Sequence, residues 1–194
     1  DLAGVVRSAP NLGWSDVPLQ RTLSERFGMP VIVANDANAA VLAEHSFGSG
    51  DSDLMLITVG HGVGAGILLG GTPIFGGHSA AGEIGHVVVG DDEGLACACG
   101  KSGCLETWLA APRLEAALAA ADGTRRDTIL REAGRRLGVA VAPVVGALDL
   151  SEIVLSGPIH LLDGPLAQAA DETIRARTMA DFHGDLRVRM TALG

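Results

Sequence analysis

The chain has 194 residues, 47% of them hydrophobic, and carries a formal net charge of -9 with a pI near 5.0. That is enough apolar material to bury a core in one domain or two closely packed lobes. The negative field repels phosphate backbones and anionic lipid heads, which argues against direct DNA or membrane binding by this segment; its longest apolar run, Val139 to Leu148, is interrupted by Pro143 and Gly146 and falls short of the roughly 20 residues that a membrane span needs.

In chain order, Leu19 to Gly28 reads as a short helix and the apolar run Val31-Ile32-Val33-Ala34 as a buried strand. Asn35 and Asp36 end that run. Asp36 and Asn38 are both suitable helix-starting residues, and Ala37, Ala40 and Val41 follow at helical spacing until Gly48 and Gly50. Small and polar residues from Gly48 to Asp53 then mark a lobe boundary, dividing a remnant of an N-terminal lobe, residues 1–50, from a C-terminal lobe, residues 51–194.

Leu54 to Val59 reads as a second strand, followed by the loop Gly60-His61-Gly62-Val63-Gly64, a strand over Ala65 to Leu69 and a hairpin turn at Gly70-Gly71. Beyond a cysteine-rich insertion at about residues 83–106, Pro112 opens a helix with Leu114, Leu118 and Ala121 on one face and Gly123 as its stop. The apolar residues Leu130, Ala133, Leu137, Val141, Val144 and Leu148 predict a long helix from about Thr128, with Pro143 kinking it. A strand at Ile153 to Leu155, a turn at Ser156-Gly157-Pro158, a helix over Leu166 to Thr178 and a strand over Arg187 to Thr191 complete an α/β alternation.

Three cysteines, Cys97, Cys99 and Cys104, fall within eight residues, a crowding that suits a metal better than a disulfide framework and fits a reducing cytoplasm. Gly100 and Gly103 allow the backbone to fold around a small centre. The fourth ligand is best sought in Glu83-Ile84-Gly85-His86, because imidazole is the usual partner of thiolates at zinc. His86, Cys97, Cys99 and Cys104 would close a tetrahedral shell and leave no position for an activated water, so the zinc would be structural. The alternative is three reduced core cysteines, which the polar Lys101 and Ser102 disfavour. His45, His78, His160 and His183 read as surface or loop residues.

The glycine loop Gly60, His61, Gly62 and Gly64 has the composition to wrap a phosphate with backbone NH groups, and equally to turn a hairpin with no ligand. Asp36 on its own reads as a helix cap.

The ordered set Asn35-Asp36-Ala37-Asn38, Glu83-Ile84-Gly85-His86 and Cys97-x-Cys99-Gly100-x-x-Gly103-Cys104-Leu105-Glu106 resembles the ROK family of repressors, open reading frames and kinases. Pro10-Asn11-Leu12-Gly13-Trp14 and Thr58-Val59-Gly60-His61-Gly62-Val63-Gly64 extend the resemblance over most of the chain. It implies a two-lobed fold of the actin-like ATPase, ribonuclease H-like sugar-kinase type. Asn35, Asp36, Glu83, His86 and Glu106 would line a monosaccharide or amino-sugar site between the lobes. His86 would bind zinc through one nitrogen and face the sugar with the other.

The family implies two functions. One is the sugar-binding effector module of a transcriptional regulator of carbohydrate metabolism, whose DNA contact would come from a helix-turn-helix domain absent from this chain. The other is an ATP-dependent sugar kinase of glucokinase or N-acetylhexosamine kinase type, using ATP and magnesium, with Asp36 as general base. The regulator is preferred, because Ser8 to Trp14, His61 in place of the threonine common in the kinases, and the tail from Ile153 look more like regulator sequences. The chain begins at Asp1 with no leader, so its start reads as the middle of a longer gene product. A cytoplasmic homo-oligomer, dimer or tetramer, is expected.

Overall fold

A computed structural model describes residues 1–9, 12–90, 95–119, 121–182 and 184–193. Pro10, Asn11 and His183 lie outside the described residues.

The core is a five-stranded sheet in the order β5-β4-β3-β6-β7. Strands β3 (Leu54–Val59), β4 (Val63–Leu69) and β5 (Thr72–Pro73) form antiparallel hairpins, the second turning at Gly70-Gly71 as the sequence predicts. Strands β6 (Glu152–Ser156) and β7 (Arg187–Met190) add in parallel on the other side of β3. Parallel addition requires crossovers, and the helices supply them, the short α6 (Ile159–Leu162) among them.

Side chains of successive strand residues point to opposite faces. Met55, Ile57 and Val59 of β3 and Ile153 and Leu155 of β6 face one way, into a cluster with Leu137 and Val141 of α5 (Gly123–Leu148) and Leu166 and Ile174 of α7 (Pro165–Arg177). Leu54, Leu56, Leu68 and Val154 face the other way, against Val41 of α2 (Asp36–Ala43). Gly66 permits the close approach of α2, since a Cβ there would stand 2.4 Å from the Ala37 carbonyl oxygen.

On the α2 face the outer strands carry charge. A π-helical turn, Glu44–Gly48, continues α2 and buries Glu44. Arg189 of β7 donates through Nη1 to Glu44 and through Nε to the buried Glu152 of β6, both at 2.8 Å. Arg187 adds a 2.9 Å bond to Asp51, whose own NH donates to Glu152.

Helix α5 starts at Gly123 rather than near Thr128, because Asp122 caps it by accepting from the Arg125 NH at 3.1 Å. The first turn is exposed, so the apolar periodicity carries no trace of it. Gly123 accordingly opens α5 instead of ending α4 (Ala111–Ala119).

The first 35 residues hold a two-stranded ladder, β1 (Val6–Ala9) with β2 (Trp14–Val17), and α1 (Leu19–Phe27), which buries none of its residues. The strand expected at Val31 to Ala34 is absent. A strand requires a neighbouring backbone, and here α1 side chains take that place: the Val31 NH donates to Ser24 Oγ and the Val33 NH to Gln20 Oε1. Ile32 is left 89% exposed.

Candidate functional site

Three segments that are distant in sequence meet at the Val63 end of β4. Helix α2 lies over Gly64 and Gly66 and presents its N-terminus there. Residues 82–86 run against β4, with the Ala65 NH donating to the Gly82 carbonyl at 2.9 Å. Gly85 is obligatory in this contact, since a Cβ would stand 2.1 Å from the Val63 carbonyl oxygen. Helix α3 (Leu105–Leu109) brings Glu106, whose Oε2 accepts from the Val63 NH at 3.1 Å.

The cysteine segment forms a compact knuckle. Cys97 NH donates to Lys101 O and Gly100 NH to Cys97 O, while Val88 pairs with Cys104 and Ala96 with Ser102. His86 sits in a short 3-10 turn, Ile84–His86, and its Nδ1 lies 3.5 Å from Cys97 Sγ; Cys99 and Cys104 sulfurs are 3.6 Å apart. The four ligand atoms all lie within 4.8 Å of one another. Thiolates on a zinc with bonds of about 2.3 Å stand about 3.8 Å apart, so the spacing suits that ion.

Burial, together with the neighbouring thiols of Cys99 and Cys97, pushes the Cys104 thiol up to about 12. Cys99 is exposed and its thiol is held below the ordinary value, chiefly by the Lys101 backbone NH. Deprotonated together, three sulfurs packed this closely would repel one another, and a divalent cation would relieve that repulsion.

At the N-terminus of α2 the cap is Asn35, not Asp36. Asn35 has extended backbone angles and its side chain accepts from the Asn38 NH at 3.1 Å. Asp36 is therefore released from capping and stands exposed, with one oxygen accepting from the adjacent Ala37 NH. Asn38, a possible helix starter and the last residue of the Asn35–Asn38 motif, has its carboxamide oxygen buried without a protein hydrogen-bond partner. Glu83 is exposed at the start of the 3-10 turn, and His86 and Glu106 are half-buried.

The glycine loop is partly occupied by its own bonds. Gly60 NH donates to Gly62 O, and the Val63 NH is taken by Glu106. His61 is exposed. Glu106 thus joins the loop to the knuckle, its other oxygen accepting from the Cys97 thiol at 3.9 Å. No sequence motif signals that link.

The remaining described histidines stay outside the cluster. His45 Nδ1 lies between the Gly50 and Asp51 carbonyls, His160 faces Glu115 at 3.9 Å, and His78 is exposed. A cavity of about 490 Å³ opens between α7 and β7. Its lining residues Arg187 and Arg189 are engaged by Asp51, Glu152 and Glu44, and Arg175 by Asp171, so these groups serve the ionic closure of the sheet.

The arrangement has counterparts. N-acetylmannosamine kinase from Escherichia coli is 36% identical over 186 residues, covering 87% of this chain and 62% of the kinase. A solved ROK family transcriptional regulator, a homologue of the Escherichia coli MLC protein, superposes with a TM-score of 0.85 at 27% identity, covering 97% of this chain and 55% of the regulator. The ROK hexokinase from Thermus thermophilus gives 0.76 at 33% identity, with 99% and 70% covered. The chain thus spans less than two thirds of that kinase and of that regulator. These likenesses share the sugar-kinase-like α/β fold, and the model of the ROK family matches residues 2–192, so the chain belongs to the ROK family.

Proposed function

We propose that this chain is the sugar-binding effector module of a ROK-family transcriptional regulator of carbohydrate metabolism. The observation that carries the reading is the convergence of α2, residues 82–86 and α3 on one end of β4, where Glu106 bonds the Val63 NH. Asn35, Asp36, Glu83, His86 and Glu106 would bind a monosaccharide or amino sugar, because carboxylates and an amide match the alternating donors and acceptors of adjacent hydroxyls. The site would lie in a cleft between an N-terminal lobe ending near residue 50 and the lobe built on the large sheet.

Zinc fits the knuckle through Cys97, Cys99, Cys104 and His86 Nδ1, leaving His86 Nε2 for the ligand. When bound, it would supply a closed structural shell and no activated water. Its role would be to keep residues 83–86 and α3 in fixed relation. DNA contact would come from a helix-turn-helix domain outside these residues, and sugar binding would act by favouring one lobe arrangement over another. A cytoplasmic homo-oligomer completes the proposal.

A sugar kinase using ATP and magnesium is the second reading. It is favoured by the exposed Asp36 carboxylate, released from capping and accessible as a general base, and by the kinases among the relatives. The regulator is preferred because His61 stands in the glycine loop and the Gly60 NH is already bonded to Gly62 O, which removes a donor from any phosphate held by Gly60, His61, Gly62 and Gly64. Calorimetry with a panel of hexoses and N-acetylhexosamines, paired with coupled ATP turnover on the full-length protein, tests both. Binding lost in Glu106→Gln without turnover supports the regulator; turnover abolished in Asp36→Ala establishes the kinase instead.

A further inference from the structure

Arg136 belongs to none of the motifs, yet it touches both segments that shape the candidate site. It projects from the middle of α5, with its side chain only 17% exposed. Nη1 donates to the Val89 carbonyl at 2.6 Å, and Nε to Glu132 Oε1, one turn earlier on the same helix, at 2.7 Å. The guanidinium carbon lies 4.4 Å from the centre of the Trp108 ring, within cation-π range. Gly90 makes room for this approach: a Cβ there would stand 2.6 Å from Nη1.

The two contacts fall at informative places. Val89 is three residues past His86, and its NH bonds Gly103 O while Val88 pairs with Cys104. Trp108 is two residues past Glu106 on α3, a helix of five residues. So short a helix has little stability of its own, and its rotation about its axis must be set by what it touches. Residues two apart on a helix point about 200° apart, so a grip on Trp108 holds α3 from the side opposite to Glu106. Leu105 and Leu109, fully buried, anchor the ends, and the Leu105 NH donates to the Val87 carbonyl, the main-chain tie between α3 and the His86–Val89 segment. Arg136 adds a side-chain tie between the same two segments on the Trp108 side, and a zinc ion in the knuckle would brace them from the other end.

We propose that Arg136 is a positioning residue for the candidate sugar site: through the Trp108 ring and the Val89 carbonyl it holds Glu106 and His86 at the Val63 end of β4. The ligand rests on the sugar-binding reading given above; the clamp itself does not.

The test compares the parent protein with Arg136→Met, which keeps the apolar stem and loses the cation and its donors. Hydrogen exchange is read at the Val89 and Leu105 amides, which bond Gly103 O and Val87 O, and calorimetry measures affinity for whichever panel sugar the parent binds. The expected result is faster exchange confined to these amides and neighbouring residues, with α5 and α7 unchanged, and an affinity lower by about tenfold or more, the size typical of lost outer-shell support. Parental exchange rates at Val89 and Leu105, or parental sugar affinity, would overturn the proposal. If no sugar binds the parent, the functional reading fails by itself and local exchange decides the clamp. Should Arg136→Met fail to fold, Arg136→Lys takes its place: one ammonium cannot both bond Val89 and lie flat over Trp108. Weaker sugar binding at an unchanged melting temperature then supports the clamp, and parental binding overturns it.

Discussion

The two faces of the central sheet are closed by different chemistry. Toward α5 and α7, the inward residues of β3 and β6 are apolar and buried, and the layer is held chiefly by area. Toward α2, the apolar cluster is small, and beyond β3 the closure passes to Glu44, Glu152, Arg189 and Arg187. Burial of aliphatic side chains is strong but non-directional, whereas a fork of hydrogen bonds specifies one position. The helix that carries Asp36 is fastened on the second face, by the small apolar cluster around Val41 and, through the π-helical turn that continues it, by the ionic contacts of Glu44, and not by the main core.

Breaking one member of the ionic face should have the largest effect. Arg189→Ala leaves Glu44 and Glu152 buried without their main cation, and a loss of about 3 to 5 kcal/mol is expected in denaturant unfolding. If Arg189→Ala unfolds at the parental midpoint, the ionic closure contributes nothing and the contrast between the faces collapses. On the aliphatic face, Leu137→Ala should cost about 3 kcal/mol by lost transfer and cavity. It should leave hydrogen exchange in α2 unchanged in the folded protein, and faster exchange there would contradict the assignment of that helix to the other face.

A pH series sharpens the comparison with a smaller effect. Burial pushes the Glu44 carboxyl up, but the hydrogen bonds from Thr191 and Arg189 outweigh it and the net position is below the usual carboxylate range. A carboxyl depressed on folding contributes stability that is fully present above its unfolded value of about 4.3 and is lost as pH falls through the folded value. The melting temperature of the parent should therefore drop more steeply below about pH 4.3 than that of Glu44→Gln. Parallel curves would mean that Glu44 does not carry this dependence. The smallest effect is expected at the exposed pair Arg131 and Asp127 on α5, where Arg131→Ala should shift stability by less than about 0.5 kcal/mol.

The helices and most strands were legible because periodicity and caps are local signals. The buried strands Leu54–Val59 and Glu152–Ser156 and the stripe on α5 appear at the expected places. Two misreadings share a cause. Val31 to Ala34 has strand composition but no strand beside it, and the first turn of α5 has no apolar residue to announce it. Composition reports what a segment favours, and only a neighbour supplies the other half of a ladder.

By itself the sequence determined the knuckle, because cysteine and glycine spacing within eight residues constrains a loop to close on itself, and the family, through an ordered set of short motifs. Tertiary structure alone decided that Asn35 rather than Asp36 caps α2, that Glu106 reaches the Val63 NH across 43 positions, that Arg136 reaches Val89 across 47, and that Glu44 meets Arg189 across 145. Such contacts connect groups whose separation along the chain carries no periodic or compositional mark. They exist only once the sheet has set the distance between the segments that bear them.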